Sequence, residues 1–460
     1  MKNSENDNFK YLHIGLPDDV LRRKLYGDFE GAAAAIDRHL ASPSTPEPLR
    51  KCLTAQREMI LRLPRDYPYT RAEALALVRR DIPDFTEEEF QALEDRWQID
   101  WIYDHGQPRY FDRFYETLCK THPEIAHRAG VKPVGGDGQD GGTGRLDTVM
   151  ERMRTEGSLS SRTRCRATLR MKDDLFVPGR RIRALLPIPC GCSAQSDIVL
   201  EKISPAPTHI SPEDAPQRVV FWEVEPEENP TFTVEFSYTQ RAVFHDLSHP
   251  LPAAERPSFD TEEQPPHILF TPYIRNLTEE LTAGVEEPVE KARNIYDFIT
   301  KNIKYTFMRP YFGLENIAES CARNKVGDCG VMTLLFITLC RCAGVPARWE
   351  SGWKAEPGFC GAHDWARFYA APYGWLYADP SFGAGAVREG REDRRQHYFG
   401  NLDPYRMVAN TMFQGDFDVP FDHWRADPYD NQVGEMELPD RSLRYEEFQR
   451  TKEVLDFTLL

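Results

Sequence analysis

Apolar and polar positions fall into three stretches along this chain, helical in period, then of period two, then helical again. From residue 17 to about residue 128 the apolar positions recur at helical spacing: Val20, Leu21, Leu25 and Phe29 follow Pro17-Asp18-Asp19, and Ala32 to Ile36 continue the stripe. Further helix starts are read at Thr45-Pro46-Glu47, Tyr69-Thr70 and Phe85-Thr86-Glu87, the last with acids in its first turn, where the helix dipole favours them. Arg109 to Cys119, with Tyr110, Phe111, Phe114, Tyr115 and Leu118, is a strongly aromatic amphipathic segment expected to build the core of this helical region, or else to offer a groove to a protein partner. From Arg162 to Phe244 the period shifts to two. Strands are expected over Thr163–Met171, Arg181–Leu186, Ser196–Ile203, Gln217–Val224 and Thr231–Phe244, separated by proline and glycine clusters. Beyond the proline-rich stretch Leu247 to Pro266 the helical period returns. Helices are predicted from Thr271-Pro272 to Leu281 and from Glu286 to Asn302, the second with Val289, Ala292, Ile295, Tyr296 and Ile299 on one stripe.

These changes of period divide the chain into a helical N-terminal domain (1–134), a glycine-rich linker (135–160), a strand-rich domain (161–266), a mixed core (267–440) and a C-terminal segment (441–460), which is expected to be helical over Leu443 to Phe457. The run Gly135 to Gly144 is the clearest breaker and is read as a flexible linker. It is not a phosphate loop, because no Gly-Lys-Ser/Thr follows it and no buried strand precedes it.

Within the core, Asp328 is a good N-cap, and Gly330 to Cys340 is apolar on nearly every side, as in a buried helix that ends before Gly344-Val345-Pro346. Cys329 then occupies the first turn, where unpaired backbone N–H groups and the positive end of the dipole favour a thiolate and can donate to an oxyanion. The Asp328 charge opposes that thiolate, so a base is needed. Ala362 to Ala370 alternates as a strand, Pro372-Tyr373-Gly374 reads as a turn, and Trp375 to Asp379 reads as the returning strand. With the hairpin centred near Ala371, His363 and Asp379 are expected directly opposite one another on one face. Cys329, His363 and Asp379 thus read as nucleophile, base and orienter.

The blocks Gly327-Asp328-Cys329, Gly344-Val345-Pro346-Ala347-Arg348, His363-Asp364-Trp365 and Asp379-Pro380-Ser381 resemble the transglutaminase-like superfamily of papain-fold cysteine enzymes, over roughly Phe270 to Gly383. The resemblance implies an α+β fold with a papain-like transglutaminase core, and assigns the strand-rich domain ahead of it to shaping substrate access or to scaffolding. Two departures bear on substrate preference. Asp364 stands where the family usually has alanine, and Arg367-Phe368 where it often has an acid. The implied activity is a cysteine-dependent amide hydrolase working through a thioester, with a protein-glutamine acyltransferase or a non-catalytic scaffold on the same fold as the alternatives. Tyr305, Trp349, Trp353 and Trp365 are candidate cleft walls, or equally core residues.

Composition narrows the partners. A net charge of −16 argues against sequence-independent binding to nucleic acid or to an anionic membrane, which leaves a peptide or another amide-containing substrate. Met1 to Lys10 has no apolar region and no apolar run is long enough to cross a bilayer, so a cytoplasmic location is expected. The ten cysteines show no disulfide spacing. Neither the Cys190/Cys192 and Cys340/Cys342 pairs nor Asp416, Asp418 and Asp422 complete a metal site, so no metal and no cofactor is expected.

Overall fold

The computed structural model describes residues 6–131 and 144–460; of the expected linker 135–160, residues 135–143 lie outside the described residues, and the rest is not linker but the helix Arg145–Glu156 leading into the strand Ser158–Met171, with Leu146, Val149, Met150 and Met153 buried. Helices Asp18–Tyr26, Phe29–Ala41, Glu47–Asp66, Arg71–Asp81 and Glu87–Asp95 form the N-terminal region around Val20, Phe29, Leu53, Ile60, Val78 and Phe90. Thr70 with Glu73, and Thr86 with Glu89, close reciprocal capping boxes at two of the helix starts expected from the sequence. The aromatic segment departs from expectation. It begins as the strand Gln107–Tyr110, paired with Trp101–Asp104, and only from Phe114 to Thr121 is it helical. His105 and Gly106, both at positive φ, form the two-residue turn, which makes Asp-His-Gly a hairpin signal that helical spacing had masked. Its aromatic side chains Tyr110, Phe111 and Phe114 are core residues.

The strand-rich region is a pair of sheets. One is ordered Phe448–Leu459, Ser158–Met171, Phe232–Val243, Gln195–Ser204, and the other Arg441–Ser442, Glu435–Leu438, Ile182–Pro187, Val219–Val224, His209–Ile210. The end of the chain therefore returns to this region as strand, not helix. Phe448 pairs with Met171 and Leu459 with Ser161 along an antiparallel ladder. The helix formers Glu, Lys and Leu in this segment are overridden by a long partner strand, which satisfies the backbone along the segment's length. Asp418 and Asp422 serve the same region: Asp418 accepts from Ser211 Oγ at 2.7 Å, and Asp422 pairs with Arg183 at 2.7 Å.

A five-stranded antiparallel sheet forms the core of residues 347–410, ordered Phe399–Gly400, Gly374–Ala378, Phe359–Ala370, Ala347–Glu356, Arg406–Asn410. Helices Pro272–Thr282, Pro288–Asn302 and Cys329–Cys342 share with it one apolar core that contains Leu335, Phe336, Ala366 and Phe368. Phe9, Leu12, Ala55 and Met59 of the N-terminal region enter the same core. On the side of the strand-rich region, Trp353, Ala355, Met407 and Ala409 of this sheet join the core between the two β-sheets. Among the described residues no helix is long and apolar enough to cross a membrane.

Candidate active site

Cys329 is the first residue of its helix. Asp328 caps that helix, accepting the Val331 N–H at 3.2 Å, and receives the Tyr311 hydroxyl on the same oxygen. Gly330 fits because a Cβ there would run into the Tyr311 ring. The short parallel pairing of Lys304–Tyr305 with Val326–Gly327 brings Tyr305 beside this helix start. The Cys329 thiol donates to Asp364 Oδ2 at 3.0 Å. Asp364 Oδ1 accepts from Gln432 Nε2 at 2.6 Å, and the same nitrogen donates to the His363 carbonyl at 3.0 Å.

His363 and Asp379 meet, though not as directly opposed residues. The strands pair Ala370 with Gly374 and Ala366 with Ala378, so the hairpin is shifted from the expected centre and Asp379 continues to the level of Trp365. His363 reaches it along the diagonal, Nε2 to Oδ2 at 2.7 Å. The histidine is 4% and the aspartate 0% exposed. Asp379 also caps the helix Pro380–Arg388 by accepting the Phe382 N–H at 3.0 Å, and its Oδ2 accepts from Arg406 Nη1 at 2.9 Å. Burial works to raise this carboxyl, but the charges of His363 and Arg406 prevail and hold it below the ordinary carboxylate range. Phe382 lies 4.4 Å from the imidazole, ring centre to ring centre.

Successive residues of a strand point to opposite faces. His363 and Trp365 pack with Phe382, while Asp364, Ala366 and Phe368 share the face covered by the Cys329 helix. A thiol has one proton to donate, and here it goes to the neighbour of the expected base.

Cys329, Asp364 and Tyr305 line a cavity of about 350 Å³. Its walls come from three distant stretches of sequence: Arg62, Asp66, Asp112 and Arg113 from the N-terminal region, Met308 to Phe312 from the core, and Asp427, Asp430 and Gln432 near the C-terminus. Several of its acids are driven toward the neutral form. Burial, then Asp430, pushes Asp364 well above the carboxylate range; burial, then Asp427, takes Asp430 up to about 7; and burial takes Asp328 up to about 6 against the pull of the Tyr311 hydroxyl.

Of the four candidate cleft aromatics only Tyr305 lines this cavity. Trp349 packs against Phe413 at 5.2 Å, Trp353 against Phe236 at 5.5 Å, and Trp365 donates its indole N–H to Glu350 at 2.9 Å; all three are buried core residues. They sit on a sheet that is covered on both faces, so their size fills its cores. Arg367 is likewise taken up by Glu350, at 2.9 Å. Sequence reasoning passed over Arg406, Tyr311, Asp430 and Gln432. Arg406 and Gln432 carry no local signal, whereas Tyr311, close ahead of the cysteine block, and Asp430, among the acids after Trp424, were open to notice.

The model of the transglutaminase-like superfamily matches residues 275–380. No curated protein matches the chain. Among solved structures, the "Putative Cysteine Protease from Cytophaga hutchinsonii" is 13% identical, with 66% of this chain and 90% of that one covered and a TM-score of 0.39. The periplasmic domain of TgpA from Pseudomonas aeruginosa is 15% identical, covering 54% of this chain and 95% of that one, with a TM-score of 0.30. Residues 275–380, from the second turn of the first core helix to the proline after the aspartate that pairs with His363, are thus the part of the chain that matches the transglutaminase-like superfamily.

Proposed function

We propose that this protein is a cysteine-dependent amide hydrolase in which Cys329 is the nucleophile, His363 carries the proton and Asp379 orients His363. The observation that carries this reading is the buried His363–Asp379 pair at 2.7 Å, held one residue along the strand from the carboxylate that holds the Cys329 thiol. Cys329 attacks the amide carbonyl; the backbone N–H groups of the first helical turn stabilise the oxyanion; His363, which rests against Phe382 on the other face of its strand, turns toward the cavity to take the thiol proton and deliver it to the leaving amine; water then cleaves the thioester.

Water is favoured over an amine as acceptor because the cavity is walled by arginines, aspartates and Tyr305, while the three tryptophans that would wall a dry acceptor tunnel lie in the cores. The test is to incubate the protein with glutaminyl and peptide amides together with a labelled primary amine, and to weigh the products. Free acid should dominate and disappear in Cys329→Ala. Dominant amine incorporation that disappears in that variant would replace the hydrolase with an acyltransferase.

A further inference from the structure

The resemblance accounts for Cys329, His363 and Asp379, but not for Asp364, which fills a position usually held by alanine and takes the only proton the thiol can donate, across 3.0 Å. This carboxyl is fixed in place. Gln432 binds its Oδ1 at 2.6 Å and the His363 carbonyl at 3.0 Å, so the carboxyl and the histidine backbone are held by one amide. Behind it lies Asp430, whose charge acts on Asp364 and which accepts the Ser351 hydroxyl at 2.6 Å, and Asn410 Nδ2 donates to that serine at 3.0 Å. Asp364 is 4% and Asp430 6% exposed.

The groups around this point come from several elements. Asp328 caps the cysteine helix, Tyr311 covers its start, Asp427 and Asp430 approach from the C-terminal stretch, and His363 adjoins on the strand. The cations that act on these acids are Lys452, from the strand Phe448–Leu459, Arg113, which acts on Asp328, and Arg425, which acts on Asp427 and Asp430. A thiolate at Cys329 would therefore face mostly carboxyl groups, which disfavour it when ionised.

Resting on the reading of Cys329 as nucleophile, we propose that Asp364 is a positioning residue that holds the Cys329 sulfur as a neutral, hydrogen-bonded thiol until an acyl group enters the cavity. The step that starts the reaction then has a defined cost. The Cys329–Asp364 hydrogen bond opens, the imidazole of His363 turns to the sulfur, the S–H bond breaks as its proton forms N–H on His363, the electron pair left on sulfur bonds the incoming carbonyl carbon, and the C=O π pair moves onto oxygen. Asp364 ends as it began. The benefit is a nucleophile protected from oxidants and stray electrophiles between turnovers.

Iodoacetamide alkylation of Cys329, followed by peptide mapping between pH 5.5 and 9, tests this without requiring turnover. Wild type is compared with Asp364→Ala and with the isosteric Asp364→Asn, which keeps the shape of the site if alanine does not fold. Removing the carboxyl, which opposes a thiolate once it ionises as pH rises, should move the alkylation profile down by about one pH unit, so that Cys329 reacts about tenfold faster where Asp364 would be ionised. Asp364→Glu should move it back toward wild type. A profile unchanged or displaced upward in Asp364→Asn, or a Cys329 equally inert in every form, overturns the proposal. A shifted profile in a protein that cleaves no amide leaves the role of Asp364 standing and removes the hydrolase; an unshifted profile in an active enzyme does the reverse.

Discussion

The acids around Cys329 set the sign of the pH response. Asp430 at about 7 and Asp328 at about 6 sit above the ~3.9 of an unfolded aspartate. Between those values the unfolded chain gives up protons that the folded chain retains, so the stability these groups contribute is full below pH ~4 and is lost as pH rises through 6 and 7. Asp379 behaves in the opposite sense. Its carboxyl is lowered, so its contribution stands above pH ~4 and is constant across the neutral range. Thermal unfolding should therefore show a higher Tm at pH 5.5 than at pH 8. Asp430→Asn should remove at least about 1 kcal/mol of that difference, one pKa unit being about 1.4 kcal/mol. A Tm that rises with pH, or an equal slope in the variant, contradicts this account of the cavity.

At the scale of elements, what the sequence revealed depended on how local the determining contacts were. The capping boxes at Thr70 and Thr86, the buried cysteine helix and the period-two strands follow from neighbours in sequence, and each stands where the pattern put it. The hairpin carrying His363 was legible to within a register shift, because turn residues mark its position more firmly than its centre. The strand Phe448–Leu459 was not legible, since what makes it a strand is Ser158–Met171, far away in sequence. Ending the chain after Glu447 should leave that partner an open edge and expose the core around Phe448. The expected result is a Tm about 5 °C lower or more, with concentration-dependent aggregation, measured by calorimetry and light scattering. An unchanged Tm would mean that the strand adds nothing to the fold.

Across the whole molecule, the cavity depends on segments that sequence reading assigned to separate parts. Arg62 of the N-terminal region lines the cavity and donates to the Arg425 carbonyl at 2.9 Å, and Asp430 and Gln432 reach the site from the far end of the core. Cys329, His363 and Asp379 could be picked out from sequence because each sits in a short, ordered block, whereas the walls could not, because no local pattern announces residues that meet only after folding. That separation explains why the sequence left the tryptophans open between cleft and core, where the structure buries them, while the pairing of His363 with Asp379 was anticipated. The central claim, that Cys329 forms an acyl intermediate served by His363, is reached most directly by acid-quenched mass spectrometry during turnover of a panel of peptide anilides. The account predicts an acyl mass on the Cys329 peptide that is absent in Cys329→Ala, with its formation slowed about a hundredfold or more in His363→Ala. An acyl mass on another residue, or amide cleavage at the wild-type rate in Cys329→Ala, would contradict it.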